Sequence, residues 1–152
     1  MKMIMMIQKI IYSEQLHVAI NQTELVTVLG SCVAVCLYDR KNKISGMNHY
    51  LLPLWNGEGL KSPKFGNIST ERLIEAMEAV GADLRRVEAK IFGGATLNIS
   101  EGLSVGPRNI QVAIDTLRAY RIPIVVQDIG GNKGRKIFFS NEDGSVYVKY
   151  SK

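Results

Sequence analysis

The strongest structural signal in this sequence is the stretch Thr27-Val28-Leu29-Gly30-Ser31-Cys32-Val33-Ala34-Val35. Apolar and β-branched residues flank a Gly-Ser pair, which is typical of two strands joined by a tight turn. Glycine permits a sharp turn that a β-carbon would obstruct. Such a turn can leave the backbone amides of Ser31 and Cys32 free to face a developing oxyanion. It also puts the Cys32 thiol at a strand end, where a substrate can reach it.

Short runs of β-forming residues on both sides of this stretch predict about eight strands. The polar turn Arg40-Lys41-Asn42-Lys43 joins two of them in a hairpin, so residue numbers paired across it should sum to about 83. The expected strands lie at residues 16–20, 24–29, 32–39, 44–52, 86–92, 123–129, 136–140 and 145–150.

Two segments beyond the long loop at residues 53–66 have helical periodicity instead. The first carries apolar residues on one face and ends at Gly81, with Asn67 or Ser69 as its candidate N-cap. The second has Pro107 just inside its start. The combination predicts an α+β fold in which two helices pack on one side of β layers.

Composition narrows the class of protein. The chain has 152 residues, 46% of them hydrophobic and 22% charged, which predicts one ordinary globular domain spanning residues 1–152. The apolar run at residues 4–7 is too short for a signal peptide, so we expect a cytoplasmic protein without membrane insertion. The net charge is 19 − 14 = +5. Its densest cluster, Lys133, Arg135 and Lys136, lacks the interleaved aromatics of a nucleic-acid binder and favours a solvated strand edge or weak steering of an acidic protein.

The two cysteines, Cys32 and Cys36, fit neither a zinc site nor a C-x-x-C redox motif. Four residues apart on one strand, their Cα atoms would lie about 13 Å from each other, too far for a disulfide. We therefore expect two reduced thiols and no metal. Cys36 lies deeper in the strand and is expected in the core.

Hairpin pairing brings His49 near Val33 or Ala34, one or two positions from Cys32. An adjacent imidazole can take the thiol proton and hold an ion pair, lowering the thiol pKa to roughly 3.5–7.5. Thr27 is a candidate for orienting the imidazole ring. The alternative is structural: Cys32 as a small core residue, His49 as a half-buried histidine and Thr27 as a good strand former.

Several ordered motifs together resemble the chemoreceptor glutamine deamidases of bacterial and archaeal chemotaxis, the CheD family. The Cys-to-His spacing of 49 − 32 = 17 is similar to that of the family. The resemblance covers nearly the whole chain from about residue 16. The matching motifs are Leu29-Gly30-Ser31-Cys32-Val33-Ala34-Val35, Gly46-Met47-Asn48-His49, Leu52-Pro53, Lys90-Ile91-Phe92-Gly93-Gly94-Ala95, Arg108-Asn109, Asp128-Ile129-Gly130-Gly131-Asn132 and Gly134-Arg135-Lys136.

The resemblance implies a three-layer α/β/β sandwich similar to the catalytic domain of the cytotoxic necrotizing factor toxins. It implies hydrolysis of glutamine side chains on methyl-accepting chemotaxis receptors to glutamate and ammonia, at receptor arrays. Cys32 would be the nucleophile, His49 the general base and Thr27 the residue that orients the histidine. The phosphatase CheC is an implied second partner.

The expected reaction needs no metal and no organic cofactor, because a thiolate can attack a carboxamide directly. The backbone near Gly30 and Ser31 would hold the oxyanion. The loop at 53–66 and Gly93-Gly94-Ala95 are candidate rims of a shallow groove, since the glutamine sits on a folded helix bundle. Two alternatives stay open: a non-catalytic adaptor that binds receptors or CheC, and a cysteine hydrolase of another substrate.

Overall fold

The computed structural model describes residues 6–97 and 105–152, which form nine strands in two sheets and two helices. The first half of the apolar run at 4–7 lies outside these residues. The strands are β1 (Ile7–Ile10), β2 (Leu16–Ala19), β3 (Thr23–Leu29), β4 (Val33–Asp39), β5 (Ile44–Asn48), β6 (Glu88–Gly93), β7 (Ile124–Ile129), β8 (Arg135–Ser140) and β9 (Val146–Tyr150). The helices are α1 (Gly66–Ala79) and α2 (Val105–Ala119).

The elements form three layers, which confirms the predicted α/β/β sandwich. The helices pack on a five-stranded sheet of order β2-β5-β4-β6-β7, and its other face packs on a four-stranded sheet of order β1-β3-β8-β9. Every residue of the central strand β4 is buried. Val33 and Val35 face the helices, while Ala34 and Cys36 face the second sheet, as the two-residue period of a strand requires. The expected likeness to the toxin domains stays a prediction.

The hairpin of β4 and β5 has the predicted register, in which Cys36 pairs with Met47 and Asp39 with Ile44. An isolated bridge between Val33 and Tyr50 continues the same register. The strand β5 itself ends at Asn48, four residues earlier than expected. The amides of Leu51 and Leu52 both donate to the carbonyl of Lys64, so the chain leaves the sheet immediately after His49 and Tyr50.

Strand β1 was not expected. It pairs in parallel with β3, and all four of its residues are exposed, so it has no buried face to produce a periodic signal. It extends the four-stranded sheet at one edge.

The predicted cap of α1 is wrong, because the helix begins at Gly66, after Phe65, with no side-chain cap. The amide of Gly66 donates instead to the carbonyls of Leu52 and Pro53, which replaces a cap. Gly81, at φ +103°, follows the helix as expected. Among the described residues, no helix is long and apolar enough to cross a membrane.

Candidate active site

Thr27 and His49 meet between the two sheets. Thr27 lies on β3 and is fully buried, and its Oγ1 lies 2.6 Å from the carbonyl oxygen of Ile11 and 2.7 Å from Nδ1 of His49. A carbonyl oxygen can only accept, so Thr27 must donate its single hydroxyl proton to the carbonyl of Ile11. Oγ1 therefore accepts a hydrogen bond from Nδ1–H, and this network assigns the neutral tautomer whose Nε2 carries the free lone pair.

The second ring nitrogen of His49 is buried, and among the described residues it has no hydrogen-bond partner. The backbone of His49 is fixed on both sides, since its amide donates to Gln15 and its carbonyl accepts from Glu14. Burial lowers the pKa of the imidazole to about 4, so the ring is neutral near pH 7. A fixed, neutral imidazole with an unpaired lone pair has the properties of a general base.

Cys32 lies between β3 and β4 and is partly exposed, whereas Cys36 is buried. Both thiols are free, as predicted. Cys32 packs against the core between the sheets. His49 contacts Thr27 on that same side, while Val33 and Tyr50, the bridged pair between them, face the helices. Cys32 and His49 therefore flank the bridged pair Val33 and Tyr50, on the side that faces the second sheet.

The pKa shifts of the two groups run against the predicted thiolate–imidazolium ion pair. Burial raises the pKa of the Cys32 thiol, although its own backbone amide opposes that effect. The nearby imidazole contributes no positive charge, because burial keeps it neutral as well. Both shifts favour the uncharged form of each group, a thiol and an unprotonated imidazole, near pH 7.

Carbonyl groups anchor the turn that carries the thiol. The Cys32 carbonyl accepts from the amide of Gly94 at 2.8 Å, and the Gly30 carbonyl accepts from the amide of Ala95 at 3.0 Å. These two amides are occupied, so Gly94 and Ala95 hold the turn in place. Within the described part of the chain, the amides of Ser31 and Cys32 donate to no carbonyl. The Cys32 amide faces its own sulfur, so both amides lie beside the atom at which an oxyanion would form.

Gly93 is required by a close contact with backbone, whereas Gly30 meets only the end of a flexible side chain. A β-carbon on Gly93, at φ +102°, would lie 2.2 Å from the carbonyl oxygen of Cys32. One on Gly30 would lie 2.7 Å from the side chain of Leu97. Gly93 therefore allows its strand to pass directly against the backbone of Cys32.

Asn109 was not identified as a site residue from the sequence, although it belongs to one of the matching motifs. It lies on α2, is fully buried, and donates from Nδ2 to the carbonyls of Ser31 and Leu51. Its only signal in the sequence is a polar residue on the buried side of a helix. In residues 6–97 and 105–152, no three His, Cys, Asp or Glu side chains come together as metal ligands.

The chain also resembles known proteins. Residues 51–150 match the family pattern described as CheD chemotactic sensory transduction. A protein of Sulfurimonas denitrificans named "Probable chemoreceptor glutamine deamidase CheD" is 56% identical over 146 residues, which cover 94% of each chain. A protein of the same name from Trichlorobacter lovleyi is 48% identical, over 87% of this chain and 83% of its own. One from Archaeoglobus fulgidus is 41% identical, over 82% and 81%.

Proposed function

This chain belongs to the CheD family, and we propose that Cys32 is the nucleophile with which it deamidates chemoreceptor glutamines. The enzyme is a protein-glutamine glutaminase, which converts side-chain carboxamides of its receptor substrates to carboxylates. One observation carries the assignment of residues: Thr27 holds His49 in the tautomer with a free Nε2, on the face of the sheet where Cys32 lies.

The first half of the reaction starts from the neutral pair. Nε2 of His49 takes the thiol proton while Sγ of Cys32 bonds to Cδ of the glutamine side chain. The carbonyl electrons move onto oxygen, and the amides of Ser31 and Cys32 bind the resulting oxyanion. Proton transfer during attack avoids a standing ion pair, which fits the raised thiol pKa and the lowered imidazole pKa.

Ammonia leaves when the tetrahedral intermediate collapses. The proton on Nε2 of His49 passes to the departing nitrogen, the C–N bond breaks, and a thioester remains on Cys32. A water molecule, deprotonated by the now neutral His49, attacks the thioester carbon. The C–S bond then breaks, the sulfur regains its proton, and glutamate is released. Throughout the cycle Nδ1–H stays bonded to Thr27, so the ring keeps its orientation.

The substrate is a folded receptor, so we expect a shallow site rather than a deep pocket. Gly30 and Ser31 would lie at its floor and the loop at 53–66 at its rim. Gly93, Gly94 and Ala95 are buried, so the prediction that they belong to the rim is wrong. The amides of Gly94 and Ala95 instead hold the turn that carries Cys32. Residues 1–152 would act as one deamidase domain. The family resemblance supports binding of CheC at the same surface and a location at receptor arrays through protein contacts.

Mass spectrometry of receptor fragments tests this proposal, because each converted glutamine gains about one mass unit. We expect the gain with the native protein and with Cys36→Ala, and its loss with Cys32→Ala and His49→Ala. Cys36 is the matched control because it is the other thiol on the same strand face. Equal conversion by Cys32→Ala would disprove the nucleophile. No conversion by the native protein would favour the adaptor, and cut peptide backbones would favour another hydrolase.

A further inference from the structure

One buried amide holds both chain segments that carry the candidate nucleophile and base. Nδ2 of Asn109 donates to the carbonyl of Ser31 at 3.1 Å and to that of Leu51 at 3.0 Å. Ser31 directly precedes Cys32, and Leu51 follows His49 by two residues. Asn109 thus bridges the two segments from helix α2, which supplies neither reacting group.

Asn109 joins the two segments beyond the end of the β4–β5 strand pairing. Beyond the strand pairs of β4 and β5, the one backbone pairing between the two segments in the described part of the chain is the bridge between Val33 and Tyr50. Tyr50 adds a reciprocal bond, because its hydroxyl donates to the backbone carbonyl of Asn109. The segment at 49–52 is therefore attached to α2 through both a main-chain and a side-chain group of one residue.

Stability alone does not explain an asparagine at position 109. It is fully buried, and its Oδ1 has no hydrogen-bond partner among the described residues. An unpaired buried acceptor costs about 1–3 kcal/mol. Turning the amide over would set Oδ1 against two carbonyl oxygens, so the observed orientation is the one that forms bonds. What this residue provides is a fixed position: its NH₂ group holds the segments at Ser31 and Leu51 relative to each other.

We propose that Asn109 is a positioning residue that sets the distance between Sγ of Cys32 and Nε2 of His49. The inference rests on the proposed roles of Cys32 and His49. Proton transfer from a neutral thiol requires the two atoms to approach to hydrogen-bond distance, so a displacement of one loop slows the attack directly.

The test compares Asn109→Ala with Asn141→Ala. Asn141 is also a buried asparagine whose Nδ2 donates to three acceptors, but these lie at Ala19, Lys43 and Ser45, away from the segments that carry Cys32 and His49. Both variants should lose stability. We expect kcat for receptor deamidation to fall roughly 10- to 100-fold in Asn109→Ala, with KM within about twofold, and to stay unchanged in Asn141→Ala. Equal losses of kcat in both variants would reduce Asn109 to a structural role.

A second readout needs no receptor. At pH 7, where the thiol is protonated, iodoacetamide alkylation of Cys32 should slow when His49 is replaced by alanine, because the base that removes the thiol proton is lost. If Asn109 positions that base, His49→Ala should have little additional effect in the Asn109→Ala background. Additive effects in this double-mutant cycle would overturn the proposal. The cycle is informative even when receptor turnover is absent, so failure of the positioning role and failure of the deamidase assignment are distinguishable.

Should Asn109→Ala fail to fold, Asn109→Ser serves in its place, since a hydroxyl keeps one donor for one of the two carbonyls. Its kcat is expected between those of the native protein and a variant lacking both bonds. A kcat equal to the native value, with the protein folded, would contradict the need for the double bridge.

Discussion

The hydroxyl oxygen of Thr27 lies 2.7 Å from Nδ1 of His49 and joins the two sheets of the sandwich beside Cys32. Because the hydroxyl proton is committed to the carbonyl of Ile11, the oxygen can only accept from the ring. This bond determines which ring nitrogen is available to remove a proton.

Replacing Thr27 with valine should lower kcat roughly 10- to 100-fold, because the ring loses the acceptor that selects its tautomer. Valine matches the shape of threonine and suits a strand, so the change isolates the oxygen. The N–H of His49 and the carbonyl of Ile11 would both lose their partner, and each unpaired buried group should reduce the free energy of unfolding by about 1–3 kcal/mol. Thr27→Ser keeps the oxygen and should retain most activity. Ammonia release measures the rates, and native turnover by Thr27→Val would show that the bond is dispensable.

Alkylation of the thiols tests the neutral resting pair. We expect iodoacetamide to modify Cys32 well before the buried Cys36, with a midpoint above the ordinary cysteine pKa of about 8.5. Burial raises the pKa of the Cys32 thiol, and the neutral imidazole of His49 supplies no positive charge that would lower it. A standing ion pair would instead give a midpoint below about 7.5. Rate against pH, followed for each cysteine by peptide mass, separates the two results.

The pH dependence of kcat/KM gives an independent check of the same pair. The acid limb should follow protonation of His49, whose pKa is lowered to about 4. No decline is expected on the alkaline side up to about pH 8.5, since the reactive form needs no imidazolium. A bell-shaped profile with an alkaline limb near neutrality would contradict the neutral pair.

Stability should also depend on pH through His49. Its folded pKa of about 4 lies below the ordinary value of 6.5, so between these pH values the unfolded chain binds the additional proton. The contribution of His49 to the free energy of unfolding should therefore be constant above about pH 7.5 and fall by about 3 kcal/mol as the pH drops to 4. Urea unfolding at several pH values measures this.

His49→Gln is the control for that measurement. Burial also lowers the pKa of His17, which contributes a change of the same sign, so the difference between the native and His49→Gln curves isolates His49. Parallel curves for the two proteins would mean that His49 is not buried in its neutral form.

Gly93→Ala should displace the backbone of Cys32, because the new β-carbon would lie 2.2 Å from its carbonyl oxygen. Gly81→Ala is the matched control, with φ +103° against +102° for Gly93 and nothing within 4 Å of the added carbon. Both variants carry the same backbone strain. Only Gly93→Ala should lose activity, by about tenfold or more. Similar turnover by the two folded variants would argue against the close approach.

The features that local sequence could predict are those that depend on neighbouring residues. The polar turn predicted the register of β4 and β5, and the bridge that continues this register pairs Val33, next to Cys32, with Tyr50, next to His49. Strand β1 escaped prediction because none of its residues is buried. The start of α1 depends on carbonyls of a preceding loop, and Asn109 bonds residues 78 and 58 positions away. The thiol pKa had the wrong sign because burial between two sheets is a property of the packed chain.

Thr27 comes from one sheet and His49 from the end of a strand in the other. The oriented imidazole therefore needs residues from both sheets, and neither sheet can form it alone even when its own strands are paired. Hydrolysis therefore requires that the two sheets have packed together. A partly folded chain should have no amidase activity. Turnover in a denaturant titration should vanish together with inter-sheet packing, before or with the last secondary structure.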